Sequence, residues 1–191
     1  MSRPVLQVIA ASTRPGRRGI ALARWLQRFA EEHGGFDVEL IDLAEVGLPL
    51  FDEPRHPRLQ QYAHQHTKDW SASVSRADAF VFVTPEYNHS FPASLKNALD
   101  YLSMEWADKP VGLVSYGGVS AGLRAATALK PVLAALRMVP VVEAVSIPFF
   151  AEHIGADGEF TPNAQVEGGG KAMLDELVRL ATVLCGLRET A

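Results

Sequence analysis

Thr84-Pro85-Glu86-Tyr87-Asn88-His89-Ser90-Phe91-Pro92-Ala93-Ser94-Leu95-Lys96-Asn97-Ala98-Leu99-Asp100 follows directly on the apolar run Phe80-Val81-Phe82-Val83. The run reads as a buried strand, and Pro92 reads as the opening of a helix. The stretch between them is therefore a strand-to-helix connection that carries two prolines, an acid, an aromatic ring and an amide. Ligand clefts of α/β sheets lie beyond the carboxyl ends of the strands. Pro85 and Pro92 stiffen the connection, and Tyr87 offers a flat face with a polar tip. Glu86 and Asn88 carry groups able to hydrogen-bond a heterocycle, and Ser90 is placed to cap the helix.

On either side, short apolar strands alternate with helical patterns. Val5 to Ala10 is a strand, and Leu22, Leu26 and Phe29 recur at helical spacing before Gly34-Gly35 ends the pattern. Phe36 to Asp42 alternates as a half-buried strand does. A proline-rich stretch runs from Pro49 to Pro57, after which Leu59, Tyr62, His66, Trp70 and Val74 line one helical face. Ala79 to Thr84 is the third strand, Pro92 to about Ser103 a helix, and Val111 to Ser115 the fourth strand. Leu123 to Leu136 is helical, with Pro131 as a kink or boundary. Val139 to Ile147 is the fifth strand, and Met173, Leu177, Leu180, Ala181 and Leu184 mark a last helix whose start is obscured by Gly168-Gly169-Gly170. This alternation implies an α/β fold, a parallel five-stranded sheet covered on both faces, with the whole of 1–191 as one domain.

The totals narrow the classes. The 191 residues carry a net charge of -4, with no basic stripe of the kind that nucleic acid requires. No apolar stretch reaches transmembrane length and no secretory signal pattern is present, so the expected location is the cytoplasm. Cys185 is the single cysteine; it forms no intrachain disulfide and reads as a small buried hydrophobe. His64 and His66, two apart on an expected helix, do not share a face, and no metal site is expected.

Two more strand-end loops carry chemistry. Ala11 to Gly19 joins the first strand to the first helix. Its Ser12 and Thr13 hydroxyls, its Arg14, Arg17 and Arg18 charges and its Gly16 and Gly19 suit a phosphate at a helix N-terminus. It also reads as a solvated basic turn, and it matches neither the Walker loop nor the dinucleotide glycine fingerprint. Ser115 to Gly122 follows the fourth strand, and its Gly117-Gly118 pair allows a planar ligand to approach the backbone. Together the three loops span a mononucleotide: a phosphate at the first, a planar ring at the other two. With strand order 2-1-3-4-5, that ligand falls at the switch point between the first and third strands, where flavodoxin holds FMN.

At these residues the chain resembles the NAD(P)H-dependent FMN reductase family, a flavodoxin-like group that includes quinone, azo-dye and chromate reductases. Ala11-Ser12-Thr13-Arg14 stands for the family's Gly-Ser-x-Arg, Pro85-Glu86-Tyr87-Asn88 appears unaltered, and Ser115-Tyr116-Gly117-Gly118 forms the glycine turn. The resemblance implies a flavodoxin-like, doubly wound three-layer fold with FMN as cofactor. It implies NAD(P)H as electron donor, hydride transfer from the nicotinamide to FMN, and onward transfer to free flavin or another small acceptor. Ser12, Arg14, Arg17, Arg18 and Gly19 would hold the phosphate, with the choice between Arg17 and Arg18 open. Pro85, Glu86, Tyr87 and Asn88 would meet the ring, and Ser115, Tyr116, Gly117 and Gly118 would close its other side. No side chain is expected to act as nucleophile or general base. A homodimer or homotetramer is expected, with Leu99, Tyr101, Leu102, Met104 and Trp106 available to an interface or to the core. An FMN-containing quinone, azo or chromate reductase and an electron carrier without NAD(P)H reactivity are the alternatives.

Overall fold

The computed structural model describes residues 3–188. Five strands, β1 (Val5–Ala10), β2 (Asp37–Asp42), β3 (Ala79–Pro85), β4 (Pro110–Tyr116) and β5 (Val139–Ile147), form one sheet in the order β2-β1-β3-β4-β5. Every neighbouring pair is parallel. The order is that of the flavodoxin-like fold, and its switch point lies between the neighbouring strands β1 and β3.

Six helices cover the sheet: α1 (Gly19–His33), α2 (Leu43–Val46), α3 (Gln65–Ser75), α4 (Ala93–Asp100), α5 (Leu123–Ala135) and α6 (Ala164–Arg188). β3 is buried along its whole length, as a central parallel strand must be. Its Ala79, Val81 and Val83 face one core with Leu22 and Leu26 of α1 and Met173 and Leu177 of α6. Its Phe80 and Phe82 face the other, with Trp70, Leu95, Leu99, Leu129 and Leu133. Trp106 anchors this second core, its ring centroid 5.0 Å from that of Phe80 and its Nε1 donating to the Leu99 carbonyl at 3.2 Å.

Several expectations are corrected. α3 begins at Gln65, so Leu59 and Tyr62 precede it, and Leu59 is exposed in a short 3₁₀ turn. His64 stands before the helix in extended backbone, which lets its ring fold onto His66 with centroids 5.2 Å apart. α4 stops at Asp100, and Pro92 occupies its N-cap. Ser90 instead pairs through its backbone with Tyr87, so it caps nothing. α5 runs through Pro131. α6 contains the three glycines: a Cβ on Gly170 would meet Phe29 at 3.1 Å, so the missing side chain lets α6 close on α1. Asn163 Oδ1 accepts from the Val166 N–H at 2.9 Å and marks where that helix starts. Cys185 is exposed rather than buried. Leu99, Tyr101, Leu102 and Trp106 are core residues, and Met104 alone of that group is exposed.

Candidate functional site

A cavity of about 640 Å³ opens at the carboxyl edge of the sheet, within the range of about 300–1,000 Å³ usual for small-molecule sites. The first three loops supply Ser12, Arg14, Arg17 and Arg18, then Pro85, Glu86 and Tyr87, then Tyr116, Gly117 and Gly118. Gly19, Asn88 and Ser115 stand outside its lining. The loop after β5 adds Phe149, Phe150, Ala151 and Glu152, which sequence reasoning missed. Pro148 and two consecutive aromatics directly after the last strand were the available signal.

The first loop is held at both ends. The Ala11 N–H donates to the Val83 carbonyl at 3.0 Å, and Ser94 Oγ donates to the Ala11 carbonyl at 2.5 Å. Gly16 turns the chain with φ +72°, and open space lies where its Cβ would be. The arginines then separate by role. Arg17 Nη2 pairs with Asp42 Oδ2; the two side chains are 22% and 5% exposed. Asp42 also caps α2, accepting from the Ala44 N–H at 3.0 Å. Arg17 is therefore a strut between the first loop and the end of β2, and its buried Nε has no partner among the described residues. Arg14 and Arg18 are exposed, and neither joins any of the ion pairs formed among the described residues. α1 has no side-chain cap and no acid in its first turn. An open helix N-terminus beside two unpaired guanidinium groups favours an anion.

The second loop is a tight turn. Tyr87 and Ser90 exchange backbone hydrogen bonds of 2.8 and 3.0 Å, with Asn88 at φ 49° and His89 at φ 67° between them. Positive φ at both central residues defines a type I′ turn, which favours asparagine. Asn88 is therefore explained by backbone geometry. The turn presents Tyr87, whose hydroxyl lies 2.7 Å from Ser12 Oγ and ties the second loop to the first.

Glu86 has a role that its sequence position did not reveal. Its carboxylate accepts from Arg124 Nε at 2.6 Å, the Arg124 N–H at 3.1 Å and Ser120 Oγ at 3.2 Å, and its side chain is 7% exposed. It buckles the second loop to the third while its residue still lines the cavity. Burial alone would raise its pKa, but the Arg124 and Ser120 hydrogen bonds and the Arg124 charge outweigh burial and hold it below the ordinary 4.5. Since the native pKa is depressed, the buckle contributes fully above the unfolded value and is lost as pH falls through the native one. The Ser120 and Arg124 amide resonances are expected to titrate together below pH 4.5. In Glu86→Gln that shared acid transition should vanish; if it persists, another group sets it.

The third loop is supported from beneath. Ser115 Oγ donates to the Ala121 carbonyl at 2.9 Å, which explains its burial behind the cavity. Gly122, at φ +78°, would bring a Cβ to within 2.8 Å of the Tyr116 nitrogen. Gly117 donates its N–H to the Ile147 carbonyl at 3.2 Å, so that group is committed. Gly118 faces open space. The carbonyls of Gly117 and Gly118 accept from Phe150 and Phe149 at 3.0 and 3.1 Å, fastening the fourth loop to the third. Tyr116 packs against Phe150 with centroids 4.4 Å apart and the rings tilted by 43°. Burial, reinforced by the nearby Tyr87, pushes its hydroxyl above the ordinary phenol range, although Arg14 and Arg17 oppose the shift. It stays protonated and available as a donor. Gly19 lies outside the lining because Tyr116 covers it: a Cβ there would fall 1.9 Å from the Tyr116 hydroxyl.

No group of three or more His, Cys, Asp or Glu among the described residues is arranged to hold a metal ion. No helix among them is long and apolar enough to cross a membrane. The cavity thus combines an end that favours an anion with aromatic walls and an open glycine turn at the other. Those features fit a phosphorylated planar cofactor.

The comparisons agree with that chemistry. The chain is 41% identical over 149 residues to an NAD(P)H-dependent FMN reductase of Schizosaccharomyces pombe, covering 76% of this chain and 74% of that one. It is 32% identical over 193 residues to an NAD(P)H-dependent FMN reductase of a Nectria species, covering 92% and 96%. The solved structure of a flavoenzyme NAD(P)H:(acceptor) oxidoreductase from Paracoccus denitrificans matches with TM-score 0.73 at 25% identity, covering 94% and 97%. The model of the family described as NADPH-dependent FMN reductase matches residues 5–152, and the chain belongs to that family of flavodoxin-like oxidoreductases.

Proposed function

We propose that this chain holds FMN in the cavity at the carboxyl edge of the sheet and uses it to pass electrons from NAD(P)H to a small acceptor. The observation that carries the reading is the pairing, in one cavity, of two unpaired arginines at an uncapped helix N-terminus with an open glycine turn and aromatic walls. Arg14, Arg18, Ser12 and the first N–H groups of α1 would hold the phosphate. Arg17 would act indirectly, by fixing the loop to Asp42. Gly117-Gly118 gives a planar ring room against the backbone, and the Gly118 N–H has no acceptor among the described residues. Tyr87 and Tyr116 close the sides. The bound flavin supplies the two-electron chemistry, and the protein supplies binding, orientation and exclusion of water. No side chain needs to act as nucleophile or base, and Glu86 in the cavity lining is paired with Arg124 and Ser120.

The reading extends to a single flavin-binding domain over 1–191, acting in the cytoplasm on a flavin or quinone-like acceptor as a homodimer or homotetramer, without membrane or nucleic-acid partners. The net charge of -4 and the single cysteine support it. The test is an absorbance spectrum of the purified protein after reconstitution with FMN, repeated anaerobically with NADPH and with NADH. Flavin bands that bleach with a nucleotide are expected. Bands that persist with both would leave an electron carrier, and a protein that takes up no FMN would overturn the assignment.

A further inference from the structure

Phe149 is placed against the preferences of its own backbone. It follows Pro148 in the turn that leaves β5, and it adopts φ 46° and ψ 42°. A turn that opens with proline and continues at positive φ calls for glycine or asparagine. The other non-glycine residues at positive φ among those described are Gln60, Asn88, His89, Asp108, Ala121 and Arg137. All are polar or small; Phe149 is the one bulky apolar side chain, and such a residue in this region is an outlier. Strain of this kind persists where surrounding structure enforces it, and it clusters at ligand sites. Here the enforcement is visible: the Phe149 N–H donates to Gly118, and its carbonyl accepts from the Glu152 N–H at 2.8 Å.

Core packing does not account for the ring. Phe150 does that work, stacked on Phe160 and tilted against Tyr116. Phe149 is 53% exposed and contacts no other aromatic ring among the described residues, yet it lines the cavity. Tyr116, at 8%, marks the closed part of the cavity, where a resident cofactor would sit. A half-exposed ring belongs at the exchangeable side. We propose that Phe149 is a specificity-determining residue whose ring stacks on the planar electron acceptor at the cavity mouth. A flat conjugated acceptor gains this contact, whereas a compact inorganic one does not. The inference rests on the flavin-reductase reading above.

The test compares Phe149→Asn, which keeps a residue at ease in this conformation but removes the ring, with Phe149→Tyr, which keeps the ring. Each is assayed with a planar quinone and with ferricyanide, and the melting temperature of each protein without cofactor is measured. In Phe149→Asn, kcat/KM for the quinone should fall on the order of tenfold relative to that for ferricyanide, the size of one lost aromatic contact. FMN affinity should hold, and the cofactor-free protein should melt no lower than the parent. Phe149→Tyr should restore the quinone rate. An unchanged quinone-to-ferricyanide ratio, a loss of FMN, or a fall of several degrees in melting temperature would each overturn the proposal. If the parent protein takes up no FMN or leaves NAD(P)H unoxidised, it is the flavin-reductase reading that has failed, and the melting comparison still stands.

Discussion

Replacement of Arg14 and Arg18 together by glutamine is expected to weaken FMN binding by about 150-fold. A hydrogen bond to a charged group contributes about 1.5–3 kcal/mol. Both side chains are exposed, so the lower figure applies to each, and the resulting ~3 kcal/mol corresponds to that factor. Riboflavin, which lacks the phosphate, should bind the parent and the double variant almost equally. Isothermal titration with both ligands, repeated at two salt concentrations, checks this. The salt dependence of FMN binding should shrink in the variant, because exposed charge interactions are the ones that salt screens. Equal weakening of FMN and riboflavin would mean that these arginines shape the loop and do not read the phosphate. Arg17→Gln serves as the contrast. It should weaken FMN less while lowering stability more, since it leaves Asp42 buried without its partner.

That contrast shows where sequence reading stops. Arg14, Arg17 and Arg18 are equivalent as letters in a loop, and nothing local separates them. What separates them is Asp42, 25 residues from Arg17 in the chain and brought beside it by β1–β2 pairing, in which Ala10 lies opposite Asp42. The same holds for Glu86. As a residue of a ligand loop it suggests a hydrogen bond to a ring, and only the approach of α5 shows that Arg124 claims it. Asn88 is legible once the turn is known, because asparagine at positive φ has a backbone reason to be there.

The sheet itself was far more legible. Runs such as Phe80-Val81-Phe82-Val83 are apolar on both faces, as a central parallel strand requires, whereas the strand order came from the flavodoxin-like resemblance and not from the runs themselves. The misreadings fall where two signals conflict. Leu59 and Tyr62 continue a helical period into α3, but the chain between Pro49 and Pro57 is strapped across α4. Asn97 Nδ2 donates to the Pro49 carbonyl at 2.7 Å, and the Tyr101 hydroxyl donates to Asp52 Oδ1 at 3.0 Å. Periodicity does not register such straps. Gly168-Gly169-Gly170 argues against a helix by propensity, yet α6 passes through it, and the tight approach of Gly170 to α1 offsets part of the intrinsic penalty. The loop after β5 was missed because its recognition value lies in a strained phenylalanine, which no pattern of apolar spacing marks.

Gly19→Ala should damage the site, although the residue is not part of the cavity lining. The new Cβ would lie 1.9 Å from the Tyr116 hydroxyl and 2.6 Å from Cζ, well inside van der Waals contact. Tyr116 has little freedom to withdraw: it is 8% exposed and backed by Phe150. The ring must swing toward the only open space, which is the cavity, or α1 must move away from β4. Overpacking of this kind costs about 1–3 kcal/mol, read as a fall of about 2–4 °C in melting temperature for each kcal/mol in a chain of this size. If the ring swings, the same energy appears at the ligand, as a loss of FMN affinity of about 5- to 150-fold. The two outcomes are alternatives for one strain, so melting temperature and FMN affinity measured on the same sample should trade against each other. Gly19→Ala combined with Tyr116→Phe removes the closest atom and should recover part of whichever was lost, a non-additive result that neighbours in contact produce. Strict additivity in that double variant would show that Gly19 and Tyr116 are not coupled, and that the first turn of α1 needs glycine for some reason other than the ring lying over it.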